Sequence, residues 1–149
     1  MTTLTWLLGA LALTQGSEEK NLATARKAFL EWDSKTWDDA LASDATLALK
    51  ITGVREGAIV SASVGYKGRE EVKAALEALY QDFKPETRIA TRIVRGADVV
   101  FMGDVSVSTS DGERKTLPIV AHLKFDDDGK IRHMTLVAVT AQSTPAESR

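Results

Sequence analysis

The residues with chemical potential are few, and Asp104 leads them. It sits in an alternating run from Val99 to Thr109 that ends at the turn Ser110-Asp111-Gly112-Glu113. Asp-Gly between two alternating apolar runs is a strong hairpin signal. A two-residue loop with Ser110 opposite Glu113 sets Asp104 opposite Ile119 and Met102 opposite Ala121. One face of the hairpin then carries Met102, Asp104, Ser106, Leu117, Ile119, Ala121, Leu123 and Phe125. Poor solvation on such a face is how a carboxyl becomes a usable general acid or base near neutral pH. The alternative is a hydrated acid beside Ser106 and Ser108 at a wet pocket mouth, or one that accepts a bond from a hydroxyl such as that of Thr91.

Tyr80 is the second candidate, a phenol at the end of a helix that could donate to a ligand oxygen or simply sit in the core with its hydroxyl at the rim. Asp33, one turn past Phe29, is a third; an acid there faces either the pocket or solvent. His122 falls on the other face of the hairpin, with Phe101, Val105, Val107 and Val120, and reads as an interface or surface histidine. His133 points out if Phe125 pairs with Lys130, an arrangement that turns Met134, Leu136 and Ala138 inward; a one-residue bulge at Gly129 would reverse this. Lys50 and Arg92 read as surface charges. Asp126-Asp127-Asp128-Gly129 reads as a turn, because a calcium loop needs more oxygen ligands at set spacing. With two histidines and no cysteine, no metal site is expected, and disulfides and thiolate nucleophiles are excluded.

The elements that must position these groups follow from hydrophobic periodicity. Leu22, Ala25, Phe29 and Trp32 form the apolar stripe of a helix from Ser17, and Thr36-Trp37-Asp38-Asp39 resembles a capping box that opens a short second helix through about Ala42. Ala45 to Thr52 and Ile59 to Tyr66 read as paired strands, with Leu47, Leu49 and Ile51 on one face. Gly68-Arg69-Glu70-Glu71 opens a third helix whose stripe is Val72, Ala75, Leu76, Leu79, Tyr80 and Phe83, and Pro85 closes it. Thr87 to Arg95, Val99 to Thr109 and two further strands to Gln142 complete an antiparallel meander. Helices followed by strands indicate an α+β domain.

The chain of 149 residues, 44% hydrophobic and 27% charged, suits one domain with one core. Its net charge of −2 and scattered basic residues give no reason to expect a nucleic-acid partner. Residues 1–16 contain an apolar run, Leu4 to Leu13, too short to span a bilayer. It fits a secretory signal peptide with small residues near Gly16, although no Lys or Arg precedes the run; the alternatives are an extra docked helix or an uncleaved anchor. A cleaved leader means export to the periplasm or medium; otherwise the protein is cytoplasmic. The domain proper covers 17–142, and 143–149 form a polar tail.

The element order, with Gly68-Arg-Glu-Glu71 opening the third helix and Phe125-Asp-Asp-Asp-Gly-Lys-Ile131 between the last strands, resembles the nuclear transport factor two-like superfamily, in its SnoaL-like and ketosteroid-isomerase branch. The resemblance implies a cone of three helices on a strongly curved mixed or antiparallel sheet, enclosing an apolar pocket. It also implies a homodimer through the outer sheet face, here Phe101, Val105, Val107, Val120 and His122. By the same resemblance the pocket wall comprises Phe29, Asp33, Leu47, Leu49, Leu76, Met102, Ser106, Ile119, Ala121, Met134, Leu136 and Ala138. The isomerase general-base Asp falls on Leu49, the oxyanion-hole Asp on Ala121 and the donor Tyr on Phe29. Leu, Ala and Phe can neither take a proton nor donate a hydrogen bond.

Two functions fit these residues. The first is a dimeric SnoaL-like domain that binds a small apolar molecule without the usual isomerase residues. The second is a cofactor-independent isomerase, cyclase, lyase or hydrolase with Asp104 as general acid or base and Tyr80 orienting the substrate. No cofactor is expected in either case.

Overall fold

The computed structural model describes residues 17–140. The N-terminal apolar run and the polar tail lie outside the described residues. Residues 17–25 form an α-helix that widens into a π turn over Arg26–Leu30, where the Glu31 N–H donates to the Arg26 carbonyl at 3.1 Å (together α1). The Ala28 carbonyl, in the last turn of α1, accepts from the Trp37 indole N–H at 2.7 Å. Asn21, almost fully buried, donates to the Gly96 carbonyl, and Gly96 N–H donates to Glu18, so α1 is tied to the turn between the third and fourth strands.

The second helix, α2, runs Ser34–Ala40 and starts earlier than its Thr36 capping pattern suggests. Asp33 is its N-cap: the Lys35 N–H donates to Oδ1 at 3.1 Å and the Thr36 hydroxyl to Oδ2 at 2.9 Å. The third helix, α3, spans Arg69–Phe83, as its stripe and Pro85 predict. Within that stripe Val72, Ala75 and Leu76 are buried and Leu79 is half-buried, whereas Tyr80 is 48% exposed.

Six strands follow the predicted order: β1 Leu41–Arg55, β2 Ala58–Lys67, β3 Glu86–Arg95, β4 Asp98–Ser108, β5 Arg114–Phe125 and β6 Ile131–Thr140. They form one open sheet in the order β2-β1-β6-β5-β4-β3. Every pair is antiparallel except β1 with β6, so the sheet is mixed. The helices cover its concave face, α3 over β1 and β2, with α2 against α1 and α3. Phe29, Trp37, Leu41, Leu47, Leu76, Val99, Phe101, Leu123, Ile131 and Met134 are the large buried side chains between the layers.

The β4–β5 hairpin differs from its expected register by one residue, which turns one strand over. Asp104 faces Pro118, and Phe101 faces Ala121. The loop holds three residues, Ser110-Asp111-Gly112, between Thr109 and Glu113, with Gly112 at φ 83° and the Thr109 N–H donating to the Glu113 carbonyl at 2.7 Å. Asp111 fixes this form by accepting from the Thr109 hydroxyl and the Glu113 N–H, and those bonds hold its carboxyl below the usual carboxylate range. A slip of one residue exchanges the faces of a strand. Phe101, Val105 and Val107 therefore point into the core, where Phe101 stacks on Phe29 with centroids 5.9 Å apart, while Met102, Asp104 and Ser106 point outward. Val120 and His122 lie on the outer face as expected.

The last hairpin pairs Phe125 with Ile131 and Leu123 with Met134, not Phe125 with Lys130. The displacement at Leu123 to Met134 is two residues from the expected register, so the facing is preserved. Met134, Leu136 and Ala138 point inward and His133 stays outside, where its ring meets the Thr46 hydroxyl.

Candidate functional site

A cavity of about 180 Å³ opens between the concave sheet and the end of α3. Four strands make its floor by cross-strand pairing on one face: Leu49 beside Leu136, Ile51 beside Ala138, Ala138 beside Ile119, and Leu117 beside Val105. Val107 extends that floor. Leu79 and Phe83, four residues apart on α3, and Pro85 after it form one wall, and Trp32 between α1 and α2 forms another. Ile51 and Phe83, 53% and 44% exposed, mark the mouth. The lining is almost wholly carbon. Lys50 borders the cavity, but its side chain alternates onto the face opposite Leu49 and Ile51 and is exposed.

Four residues of the expected pocket wall line this cavity: Leu49, Ile119, Leu136 and Ala138. Phe29, Leu47, Leu76, Ala121 and Met134 are instead buried core, too deep to reach it. Asp33 is occupied as a helix cap; the bonds from the Thr36 hydroxyl and the Lys35 N–H lower its pKa below the usual carboxylate value, and it does not line the cavity. Tyr80 lies outside the lining as well, since Leu79 and Phe83 take that wall. Met102 is on the outer face, 42% exposed.

Asp104 is exposed at the far side of the sheet, in a shallow polar depression with Glu86, Thr87, Arg88, Ser106 and Thr116. Its cross-strand neighbours are Arg88 and Pro118. The Ser106 and Ser108 hydroxyls accept from the Arg114 guanidinium at 3.2 and 2.8 Å. The apolar surroundings expected for Asp104 therefore belong to Val105, its neighbour in sequence. The His122 Nε2–H donates to the Asp98 carboxylate at 2.8 Å, also on the outer face. Among the described residues no group of three or more His, Cys, Asp or Glu is placed to hold a metal ion.

Trp32 is the cavity residue that the helical stripe did not reveal. It ends the α1 stripe in sequence, yet it takes a left-handed backbone at φ 49° beyond the π turn, uncommon for so bulky a residue. It is 7% exposed and wedged between Phe29, at a centroid distance of 5.5 Å, and Trp37, edge-on at 6.1 Å.

Known proteins share this fold. The structural neighbours include a SnoaL-like protein from Jannaschia sp. CCS1, with TM-score 0.65 and 16% identity over 81% of this chain and 86% of that one. An NTF2-like protein from Cytophaga hutchinsonii matches with TM-score 0.59 and 12% identity over 81% of this chain and 97% of that one. An LEH-like epoxide hydrolase of M. tuberculosis matches with TM-score 0.57 and 17% identity over 84% of each chain. No curated protein matches the chain in sequence. At such identities the neighbours establish the fold, while the family assignment comes from the sequence itself, which matches the SnoaL-like domain over residues 23–134. With that match spanning both helical elements that wall the cavity and all six strands to Met134, the chain belongs to the SnoaL-like domain family.

Proposed function

We propose that this domain binds a small, neutral, largely apolar molecule in the concave cavity and does not use the isomerase chemistry of its superfamily. The observation that carries this reading is the lining. No carboxyl, imidazole or hydroxyl side chain is among the residues that form it, so nothing inside is placed to take or give a proton. An ionised ligand would lose its hydration there without a partner, which favours a neutral one. A cavity of about 150 Å³ suffices for benzene, so 180 Å³ suits one substituted six-membered ring, with any longer part leaving by the mouth at Ile51 and Phe83. An isomerase, cyclase or hydrolase acting through Asp104 lacks comparable support, because that carboxyl is on the other side of the sheet.

Titration with α-methylstyrene, followed by methyl NMR, tests the reading. Saturable shifts are expected at Leu49, Val105 and Leu136. Ala138→Phe, which projects a ring into the space, should weaken binding about tenfold or more, because the apolar contact it displaces is worth more than about 1.4 kcal/mol. Absence of saturable shifts at those methyls in the wild type would refute the proposal.

We also propose that a second copy covers the outer face. Ile93, Met102, Val120 and Val139 are 52%, 42%, 37% and 42% exposed, and with Val100 and Val137 they run contiguously across β3, β4, β5 and β6. Arg95, Asp98 and Lys124 stand side by side at the border, so a two-fold arrangement can set unlike charges together. Light scattering should give about twice 16.1 kDa, less any cleaved leader, and Met102→Lys with Val120→Lys should give the monomer. A monomeric wild type at high concentration overturns this assignment.

A further inference from the structure

Strand β2 is patterned like a strand with one covered face, although nearly all of it is exposed. Val60, Ala62 and Val64 alternate with Ser61, Ser63 and Gly65, the rhythm of a sheet that packs on one side and meets water on the other. Pairing with β1 fixes where the apolar set points: Val64 is opposite Leu49, Ala62 opposite Ile51 and Val60 opposite Gly53. Directly opposed residues share a sheet face, and Leu49 and Ile51 line the cavity. The three β2 side chains therefore stand on the concave side, one strand beyond the mouth. They are open to a ligand there, with Val60 51% and Val64 46% exposed. Helix α3 covers the other end of the same row, where Tyr66 opposite Leu47 is half-buried, but it ends at Phe83 beside the mouth.

This strip is too narrow for a protein partner. Three small side chains present far less than the roughly 800 Å² per partner of a standard interface. They also lie on the opposite side of the sheet from the face assigned to a second copy. Continuity with the cavity names the occupant instead. Ile119, Ala138, Ile51 and Ala62 form one cross-strand row through β5, β6, β1 and β2, in which the first three line the cavity. A space of about 180 Å³ is filled by one ring, so a longer molecule must continue outward, and along this row it meets aliphatic carbon. We propose that β2 is an apolar track continuing the cavity, and that the ligand is a neutral ring bearing an unbranched hydrocarbon chain of about four to six carbons laid over Ala62 between Val60 and Val64.

The assignment rests on the cavity being a ligand site and adds a chemical class to it. Chain length follows from the sheet: β1 and β2 lie about 4.8 Å apart, so about four carbons clear Ile51 and cross to Ala62, and about six reach the free edge. The chain is unbranched because the strip is one strand wide. A polar group fits only at its far end, past β2, where it keeps its water.

The test is a series of n-alkylbenzenes, from ethyl to octyl, titrated into the full-length methyl-labelled protein. From ethyl to hexyl the affinity should rise about twofold per methylene. That is half, on a logarithmic scale, of the about fourfold that full withdrawal from water gives, because the track touches the chain on one side only. From hexyl to octyl the gain should stop. Hexylbenzene should shift the Val60 and Val64 methyls, and ethylbenzene only those of the cavity. In Val60→Asp with Val64→Asp the series should flatten, since two carboxylates replace the carbon that the chain lies against. Should that variant not fold, the wild-type slope and the valine shifts decide the matter. Equal affinity for ethylbenzene and hexylbenzene, or a rise with no shift at Val60 and Val64, overturns the track and leaves the cavity as a ligand site. Binding of neither overturns both.

Discussion

Truncating Trp37 to alanine is expected to remove about 3–5 kcal/mol of folding free energy, the range for deleting a fully buried large aromatic side chain. Trp37 is 1% exposed and stands on α2, which packs against α1 and α3. Part of the loss is the cavity left behind. Another part is the Ala28 carbonyl at the end of α1, which accepts from the Trp37 indole and would be stranded without it. Trp37→Phe keeps most of the ring and loses the bond, so it should cost less, about 1–3 kcal/mol. Urea denaturation of the three proteins separates the contributions. A whole domain is stable by only about 5–15 kcal/mol, so the alanine variant should show a large fall in midpoint. Trp37 also meets Trp32 edge-on at 6.1 Å, and its loss should weaken ligand binding in whatever fraction stays folded. A midpoint for Trp37→Ala within error of the wild type would mean that this aromatic cluster does not hold the helical layer.

How far the sequence discloses this molecule depends on which level is asked. Element order is legible because periodicity is a long-range signal: a stripe such as Val72, Leu76, Leu79 and Phe83 is read from many residues at once. Facing is harder, since one loop residue decides it. Asp111-Gly112 suggests a two-residue turn, but the Thr109 hydroxyl and the Glu113 N–H both reach the Asp111 carboxylate, and Gly112 is then the left-handed last residue of a three-residue loop. The correct facing was present in the strand itself. Val99, Phe101, Val105 and Val107 form a more apolar set than Asp98, Met102, Asp104 and Ser106, and the apolar set is the one that turns inward. The alternation of β4 by itself places Asp104 on the solvent side.

The site was legible in its floor and obscure at its walls. Leu49, Ile119, Leu136 and Ala138 follow from strand alternation, which carries their facing from β1 through β6 to β5. Trp32 does not, because its role depends on the π turn and the left-handed step after it. Neither has a short sequence signature; the only local hint is Asp33-Ser34-Lys35-Thr36, a cap pattern that opens a new helix directly after Trp32. Asp33 illustrates the same ambiguity from the other side. A carboxylate near a pocket in sequence proved to be a helix cap, with Thr36 and Lys35 using its acceptor capacity.

Gly103→Ala should be the most disruptive single-methyl change in the sheet. A Cβ at this position would stand 2.0 Å from the Arg88 carbonyl oxygen and 3.0 Å from the Ile89 Cα, so the added methyl meets backbone and no side-chain rotation relieves it. The close approach comes from a bulge. The β3–β4 register shifts between Ile89 and Thr91, and the displaced β3 backbone lies over Gly103 on the inward face of β4. Overpacking of a core by a methylene commonly costs about 1–3 kcal/mol, and a clash with main chain belongs at or above the top of that range. For a domain of this size that corresponds to a fall in Tm of about 10 °C. The effect should reach the cavity, because pushing β3 away from β4 shifts Pro85, which immediately precedes β3 and forms part of the cavity wall. Gly103→Ala is therefore expected to lose both stability and probe affinity, unlike Ala138→Phe, whose loss should be mainly in affinity. Calorimetry of the two variants with and without α-methylstyrene distinguishes the cases, and an unchanged Tm for Gly103→Ala would show that β3 can yield where the bulge crosses it.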